Sequence, residues 1–144
     1  MGLRTAAERG SVMSKLEEIR EEFKKDRFAT DAVGIVIDCA EPGKAVCSLA
    51  LKPHHMNANN VPMGGAIFTL ADFTCAVAAN GYAEKMTVSQ NASITFLAPA
   101  RGERLIAEAS CLRSGRTTAL LTVDIRDELD TYVAHATVNA YVLG

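Results

Sequence analysis

The sequence has no long run of basic residues and no long run of apolar residues. Its 144 residues carry a formal net charge of -2, and no tract of five or more Lys or Arg residues occurs, so nothing predicts a nucleic-acid surface. The longest apolar stretch, residues 66–79, is interrupted by Thr69, Asp72 and Thr74 and is shorter than the roughly 20 residues that span a bilayer. Residues 1–27 are charged throughout and lack the apolar core of a signal peptide. We therefore expect a cytoplasmic protein with no nucleic-acid or membrane partner.

Cysteine and histidine are few, and neither is spaced as metal ligands are. The four cysteines contain no C-x-x-C pair, and we expect them to be buried, reduced thiols. His54 and His55 are adjacent, and His135 lies far away in the chain. There is also no G-x-S-x-G motif of a serine hydrolase. The sequence thus predicts no metal site and no cofactor.

Hydrophobic periodicity predicts an amphipathic helix followed by a hairpin. Ser14 and Glu17 form a capping box, after which apolar residues recur at helical spacing for about three turns. Residues 33–39 then alternate apolar and polar, residues 41–44 predict a turn, and residues 46–51 predict a returning strand. We expect the helix to lie on the outside of the fold, in an N-terminal extension formed by residues 1–30.

A second helix is predicted from Gly64 to Asn80, and it is apolar on nearly every side. Only strand patterns follow it, over residues 87–97, 104–113, 117–126 and 132–142. No internal repeat or Pro/Gly/Ser linker divides the chain. An α+β fold is therefore expected for residues 31–144, with an antiparallel sheet wrapped around one central helix. A helix apolar on every side must be covered on every side, partly by a second subunit.

Asp72 lies in the middle of this apolar helix. A charge in such a setting is costly unless it is paired or used, so we interpret Asp72 as a general acid or base, a solvated surface residue being the alternative. Gly64 and Gly65 open the helix. They form either a tight turn or an oxyanion site, in which glycine lets a ligand approach the free N–H groups of the helix N-terminus.

The residues around Asp72 resemble a known signature. The stretch His55-x-Asn57-x-x-Asn60-x-x-Met63-Gly64-Gly65-x-x-Phe68-x-Leu70-Ala71-Asp72 is similar to that of the hotdog-fold acyl-CoA thioesterases. The most similar group is the phenylacetate-degradation (PaaI-like) and 4-hydroxybenzoyl-CoA thioesterase group, whose pattern runs roughly H-x-N-x-x-G-x-x-H-G-G-x-x-x-x-L-A-D. The likeness covers residues 33–142. Two positions depart from the pattern: Asn60 replaces a glycine, and Met63 replaces a histidine.

The resemblance implies a role for several positions. Asp72 matches the catalytic general base or nucleophile, and Gly64 matches the N–H donor to the thioester carbonyl. Asn57 and Ser89 match polar groups that assist in the catalytic site. It further places residues beside the substrate, namely His55, Met63, Gly65 and Phe68. Arg116, in the turn at residues 114–117, is the arginine we favour for the phosphates of CoA.

Helix geometry separates the two main candidates within one chain. Gly64 and Asp72 are eight residues apart, which is about 12 Å along a helix. If both act on one thioester, they must come from different subunits. The resemblance likewise implies shared sites in a homodimer or a dimer of dimers.

Two other functions remain open on the sequence. The departures at Asn60 and Met63 fit a non-catalytic protein that binds an acyl-CoA or another small ligand on the same fold. A dehydratase or hydratase would need a histidine paired with a carboxylate, and His54, His55 and His135 are its only candidates. The acyl group, aromatic or medium-chain, is not specified by the motif.

Overall fold

The computed structural model describes residues 13–144, which form two α-helices and six strands. The helices are α1 (Lys15–Phe23) and α2 (Gly64–Asn80). The strands are β1 (Val36–Glu41), β2 (Lys44–Ala50), β3 (Thr87–Phe96), β4 (Arg104–Ser114), β5 (Thr118–Asp127) and β6 (Tyr132–Val142). A π-helical turn (Phe28–Val33) precedes β1, and a 3-10 turn (Pro53–His55) follows β2.

The six strands form a single antiparallel sheet in the order β1-β2-β4-β5-β6-β3. Helix α2 packs on one face of this sheet and contacts every strand. The structure thus has the predicted hotdog fold, in which a sheet surrounds one central helix. Each of the last four strands lies within one residue of its predicted bounds.

Small side chains on the sheet let α2 approach closely. Along β4, β5 and β6, residues that face the helix alternate with residues that face outward. Five of the residues that face the helix are alanines that are at most 3% exposed: Ala107, Ala109, Ala134, Ala136 and Ala140. Larger residues, Leu105, Leu121, Val123 and Ile125, fill the space between them. Alternating small and large side chains pack to high density without voids. This core fixes the position of the helix that carries Asp72.

Helix α1 is held against the core at three points. Its predicted capping box is present, with Ser14 Oγ accepting from the Glu17 N–H. Ile19 is buried, the rings of Phe23 and Phe73 meet edge to face with centroids 5.6 Å apart, and Arg20 Nε donates to the Ile37 carbonyl at 2.9 Å. The first twelve residues of the predicted N-terminal extension lie outside the described part of the chain.

The predicted strand at residues 33–39 begins too early. Val33 ends the π-helical turn, and Gly34 follows with φ 93, a left-handed conformation that glycine adopts without a steric cost. The strand starts at Val36, and the register shifts at a bulge between Ile37 and Cys39. The bulge breaks the alternation, so Cys39 is exposed although the sequence predicts a buried thiol.

The other three cysteines are also free thiols. Cys47 and Cys75 are buried as predicted, whereas Cys111 is half-buried. Within residues 13–144, no helix is long and apolar enough to cross a bilayer.

One buried carboxylate organises the loops at the end of the sheet. Asp127 is 3% exposed and accepts four backbone N–H bonds at 2.8–3.0 Å, from Arg101, Gly102, Leu129 and Thr131. Burial alone would raise its pKa, but these bonds stabilise the charged form, so the pKa lies well below its usual range. Asp127 therefore ties the β3–β4 connection to the β5–β6 turn.

We expect Asp127→Asn to lower the free energy of unfolding at pH 7 by about 2 kcal/mol, because buried N–H donors lose their charged acceptor. A carboxylate with a depressed folded-state pKa stabilises above its unfolded pKa of about 3.9, and that contribution is lost as the pH falls further. The deficit measured by urea denaturation should therefore shrink below about pH 4. Asp130→Asn is the control, because its side chain is 88% exposed. An equal deficit at pH 7 and pH 3 would contradict the assignment.

Candidate functional site

One stripe of α2 is not covered by the chain itself. Gly65 and Phe68 are exposed, and Asp72, Ala76 and Ala79 are half-buried. These residues recur at spacings of three and four, so they share one side of the helix. The remaining faces, with Leu70, Phe73, Thr74 and Val77 among others, are buried. Asp72 therefore lies at the centre of a mostly apolar stripe, half-buried within one chain, where the sequence predicted burial.

The structure brings Ser89 to Asp72. Ser89 lies near the start of β3, and its hydroxyl donates to Asp72 Oδ1 at 3.1 Å. Asn80, the last residue of α2, fixes this approach, because its side-chain amide donates to the Thr87 carbonyl at 2.9 Å and accepts from the Thr87 N–H at 2.7 Å. Two hydrogen bonds thus join the end of α2 to the start of β3. They hold the Ser89 hydroxyl near the Asp72 carboxylate.

The loop before α2 is anchored by His55. Its ring is 5% exposed, its Nδ1 accepts from the Lys52 N–H at 2.9 Å, and its Nε2 donates to the Val33 carbonyl at 2.7 Å. The His55 carbonyl also accepts from the Met63 N–H at 2.8 Å. Both ring nitrogens are therefore used within the chain. Any influence of His55 on a substrate acts through the position of the loop.

Asn57 and Asn60 shape the rest of that loop. Asn57 Oδ1 accepts from the N–H groups of Asn59 at 2.9 Å and Val61 at 3.3 Å. Asn60 donates its N–H to the Asn57 carbonyl and has φ 58. Its backbone is left-handed, the conformation that explains why glycine is usual at this position. Asparagine preserves the loop, so this departure from the family pattern is structurally conservative.

The N-terminus of α2 is open at Gly64. Met63 precedes it in extended conformation, provides no side-chain cap, and is 58% exposed. A Cβ added to Gly64 would lie 3.1 Å from Phe96 Cζ, whereas a Cβ added to Gly65 would meet nothing within 4 Å. The first N–H groups of a helix have no partner within it. Here the N–H groups of Ala66 and Ile67 donate to the Met63 carbonyl, so those of Gly64 and Gly65 are the ones open to an anion or a polarised carbonyl oxygen.

A cavity of about 720 Å³ lies beside Asp72. It runs between α1, the C-terminal half of α2 and the start of β3, and its lining includes Phe23, Asp72, Cys75, Ala79, Met86 and Ser89. Gly64 is not part of this lining. The structure therefore places Asp72 and Ser89 together at a cavity, and Gly64 at the far end of the same stripe.

Two further residues complete this account. Burial, and then the nearby Asp72, raise the pKa of Cys75 to about 12, so this thiol stays protonated and does not act as a nucleophile. Arg116 is exposed in the β4–β5 hairpin, where the Gly115 N–H donates to the Thr118 carbonyl. Strand register puts Ala119, Ala140 and Ser89 in one row, so this hairpin lies at the same end of the sheet as Ser89.

Comparison with known proteins identifies the family of this chain. Residues 59–134, which include the helix and its entry loop, match the model of the thioesterase superfamily. The chain belongs to this superfamily. It is a thioester hydrolase.

Individual relatives extend the comparison. The thioesterase is 30% identical over 123 residues to human acyl-coenzyme A thioesterase 13, an alignment that covers 82% of this chain and 86% of that protein. The structure of the Escherichia coli PaaI protein from the phenylacetic acid degradation operon has a TM-score of 0.82 at 24% identity, covering 90% and 94% of the two chains. A Streptococcus pneumoniae thioesterase protein solved with coenzyme A has a TM-score of 0.77 at 24% identity, covering 85% and 97%.

Sequence reasoning missed the contribution of α1 to the cavity. Phe23 of α1 and Asp26, which follows α1, line it, although they lie outside the recognised motif and the predicted domain. The only available signal was the apolar face of α1, which predicts packing against the core but not against which part of it.

The left-handed backbone of Asn60 gives a test of the entry loop. We expect Asn60→Gly to change the free energy of unfolding by only a few tenths of a kcal/mol, and Asn60→Val to lower it by about 1–2 kcal/mol, because a β-branched residue resists positive φ. Chemical denaturation of the two variants beside the wild type measures both. If the valine variant matched the glycine variant, the backbone constraint would be refuted.

Proposed function

We propose that this thioesterase hydrolyses an acyl-CoA, with an aromatic or medium-chain acyl group, to the free acid and CoA. The observation that carries the proposal is the Asp72 carboxylate, bonded to Ser89 at the edge of a cavity with much apolar surface. The name of the human relative, an acyl-coenzyme A thioesterase, supports the substrate class. The observed CoA in the pneumococcal neighbour is in keeping with it.

The chemistry needs a base and a site for negative charge. Water attacks the thioester carbonyl while Asp72 takes its proton, and Ser89 orients the carboxylate through their hydrogen bond. The carbonyl oxygen becomes an oxyanion, which the Gly64 N–H stabilises. The intermediate then breaks its C–S bond, and the departing sulfur of CoA takes the proton from Asp72. Asn57, at the entry loop, completes the polar surroundings of the carbonyl.

This mechanism requires two chains. Gly64 and Asp72 are about 12 Å apart along one helix, so the oxyanion donor for one Asp72 is Gly64 of the partner subunit. The uncovered stripe of α2, with Phe68 at its exposed end, is the surface that a second helix or strand would cover. A homodimer thereby has two equivalent sites at its subunit interface.

Strand β3 provides the edge for this association. It lies at one end of the sheet, and eight of its ten residues are exposed. Its surroundings display large apolar side chains, with Met86 63%, Phe96 53% and Leu97 49% exposed. An unpaired edge with such side chains is a template for another strand. We propose antiparallel pairing of β3 with its copy, and a further association of dimers as in the related enzymes.

The remaining predicted residues take supporting roles in this proposal. His55 positions the entry loop, while Met63, Gly65 and Phe68 form the surface over which the pantetheine arm passes. Arg116 contacts the phosphates of CoA from its exposed hairpin. The free thiols fit a reducing compartment, and we place the enzyme in the cytoplasm.

A binding protein without turnover is the second candidate, and Met63 favours it. The family's histidine at this position offers hydrogen bonds that a thioether does not make. The departure at Asn60 gives it no support, because the left-handed loop is retained. Thiol release distinguishes the two functions directly.

We expect Asp72→Asn to reduce thiol release from octanoyl-CoA or phenylacetyl-CoA at least about 100-fold, because the amide cannot accept the proton of water. Free thiol is followed with a chromogenic disulfide, and gel filtration checks that the variant keeps its oligomeric state. Asp31→Asn is the control, since Asp31 is exposed and does not line the cavity. Full turnover by Asp72→Asn would refute the catalytic assignment. No turnover by the wild type, with CoA ester still bound, would favour the binding protein.

Gly64→Pro tests the oxyanion donor because it deletes one N–H and keeps the helix. Gly64 is the first helical residue, where proline is tolerated, and Met63 has ψ 141, which suits a residue before proline. We expect thiol release to fall about 100-fold or more. Gly64→Ala is the matched control, since it adds a Cβ beside Phe96 but keeps the N–H.

Mixed dimers then test the shared site. A dimer of one Asp72→Asn chain and one Gly64→Pro chain has one intact site and one doubly altered site. Random assortment on co-expression should therefore restore about a quarter of the wild-type turnover. If each chain held a complete site, mixing two inactive variants would restore nothing.

A further inference from the structure

Apolar residues from three parts of the fold line the cavity beside Asp72. They are Ala76 and Ala79 of α2, Leu121 and Val138 of the sheet, and Phe23 of α1. Two packing contacts hold helix α1 in this position, because Ile19 is buried and the rings of Phe23 and Phe73 are in contact. The N-terminal helix is therefore a fixed part of the cavity.

The charged residues of the cavity are mainly acidic. The described residues that line it include four carboxylates and two ammonium groups, namely Glu22, Asp26, Asp72 and Glu84 against Lys25 and Lys85. CoA carries several phosphate charges, so this side of Asp72 repels the nucleotide. An uncharged acyl arm of a thioester held at Asp72 would not meet this repulsion.

Besides Asp72, the lining carboxylates that no ion pair offsets within residues 13–144 are Asp26 and Glu84. Glu22 is paired with Lys25 at 3.0 Å, which offsets its charge. Within residues 13–144, Asp26 has no ion-pair partner. Asp26 is an exposed residue that lines the cavity together with Asp72. Partial burial first, and then the charge of Asp72, raise the pKa of Asp26.

We propose that this cavity receives the acyl arm and that Asp26 is a specificity-determining residue, which makes the protein select acyl groups with an uncharged end over dicarboxylic acyl groups. The proposal rests on the proposed acyl-CoA function. A carboxylate at the end of the arm would lose water in an apolar cavity and approach both Asp72 and Asp26. An alkyl or aryl end has neither cost and gains contact with Phe23 and the alanines of α2.

Two thioether analogues of CoA test this without any turnover. S-octyl-CoA and S-(7-carboxyheptyl)-CoA differ only at the end of the arm, and neither can be hydrolysed. Calorimetry gives the affinity ratio of the two for the wild type, Asp26→Asn and Glu21→Gln. We expect the wild type to prefer S-octyl-CoA, and Asp26→Asn to lower that preference about tenfold, which corresponds to roughly 1.4 kcal/mol.

Glu21→Gln is the matched control. Glu21 lies on α1, the helix that precedes Asp26, is paired with Lys24, and does not line the cavity, so its loss should leave the ratio unchanged. The proposal is overturned if Asp26→Asn keeps the wild-type ratio, if Glu21→Gln lowers it equally, or if S-octyl-CoA does not bind. Thiol release from octanoyl-CoA by the same wild-type protein is measured separately. A protein that binds and discriminates but releases no thiol would refute hydrolysis and support the role of Asp26.

Discussion

The structure depends on a helix whose apolar surface is larger than its own sheet can cover. Helix α2 buries most of its side chains against the six strands, yet one sheet faces only one side of a helix. Helix α1 covers a second part, through Ile19 and Phe23. The stripe that includes Phe68 and Asp72 is left over. An apolar stripe exposed to water costs free energy, and that cost favours a second chain.

The same constraint explains where chemistry can take place. A carboxylate at the centre of the uncovered stripe is accessible in one chain and becomes secluded when another chain covers it. Seclusion strengthens the electrostatic interactions on which a general base and an oxyanion donor depend. In the proposed dimer, assembly and catalysis use one surface, and the helix sets the distance between Gly64 and Asp72 of each chain.

The entry loop shows how a family pattern can vary without loss of structure. Glycine is usual at the position of Asn60 because the backbone there is left-handed, and asparagine accepts that conformation. The buried ring of His55 holds the loop through two backbone bonds, so its place in the motif reflects architecture. Met63 is different, because its exposed side chain does not cap the helix and lacks the hydrogen-bonding ring nitrogens of the histidine that is usual there.

The sequence by itself determined the order of helices and strands, the span of α2, and the separation of Gly64 from Asp72. Each of these follows from periodicity or helix rise over a few residues, which local interactions enforce. It misplaced the start of β1, because a π-helical turn and a bulge leave no periodic signal. Only the tertiary structure decided that Ser89 meets Asp72, that His55 bonds Val33, and that Asp26 faces the cavity. These contacts join residues 17 or more positions apart, and packing of distant segments, which no short pattern encodes, selects them.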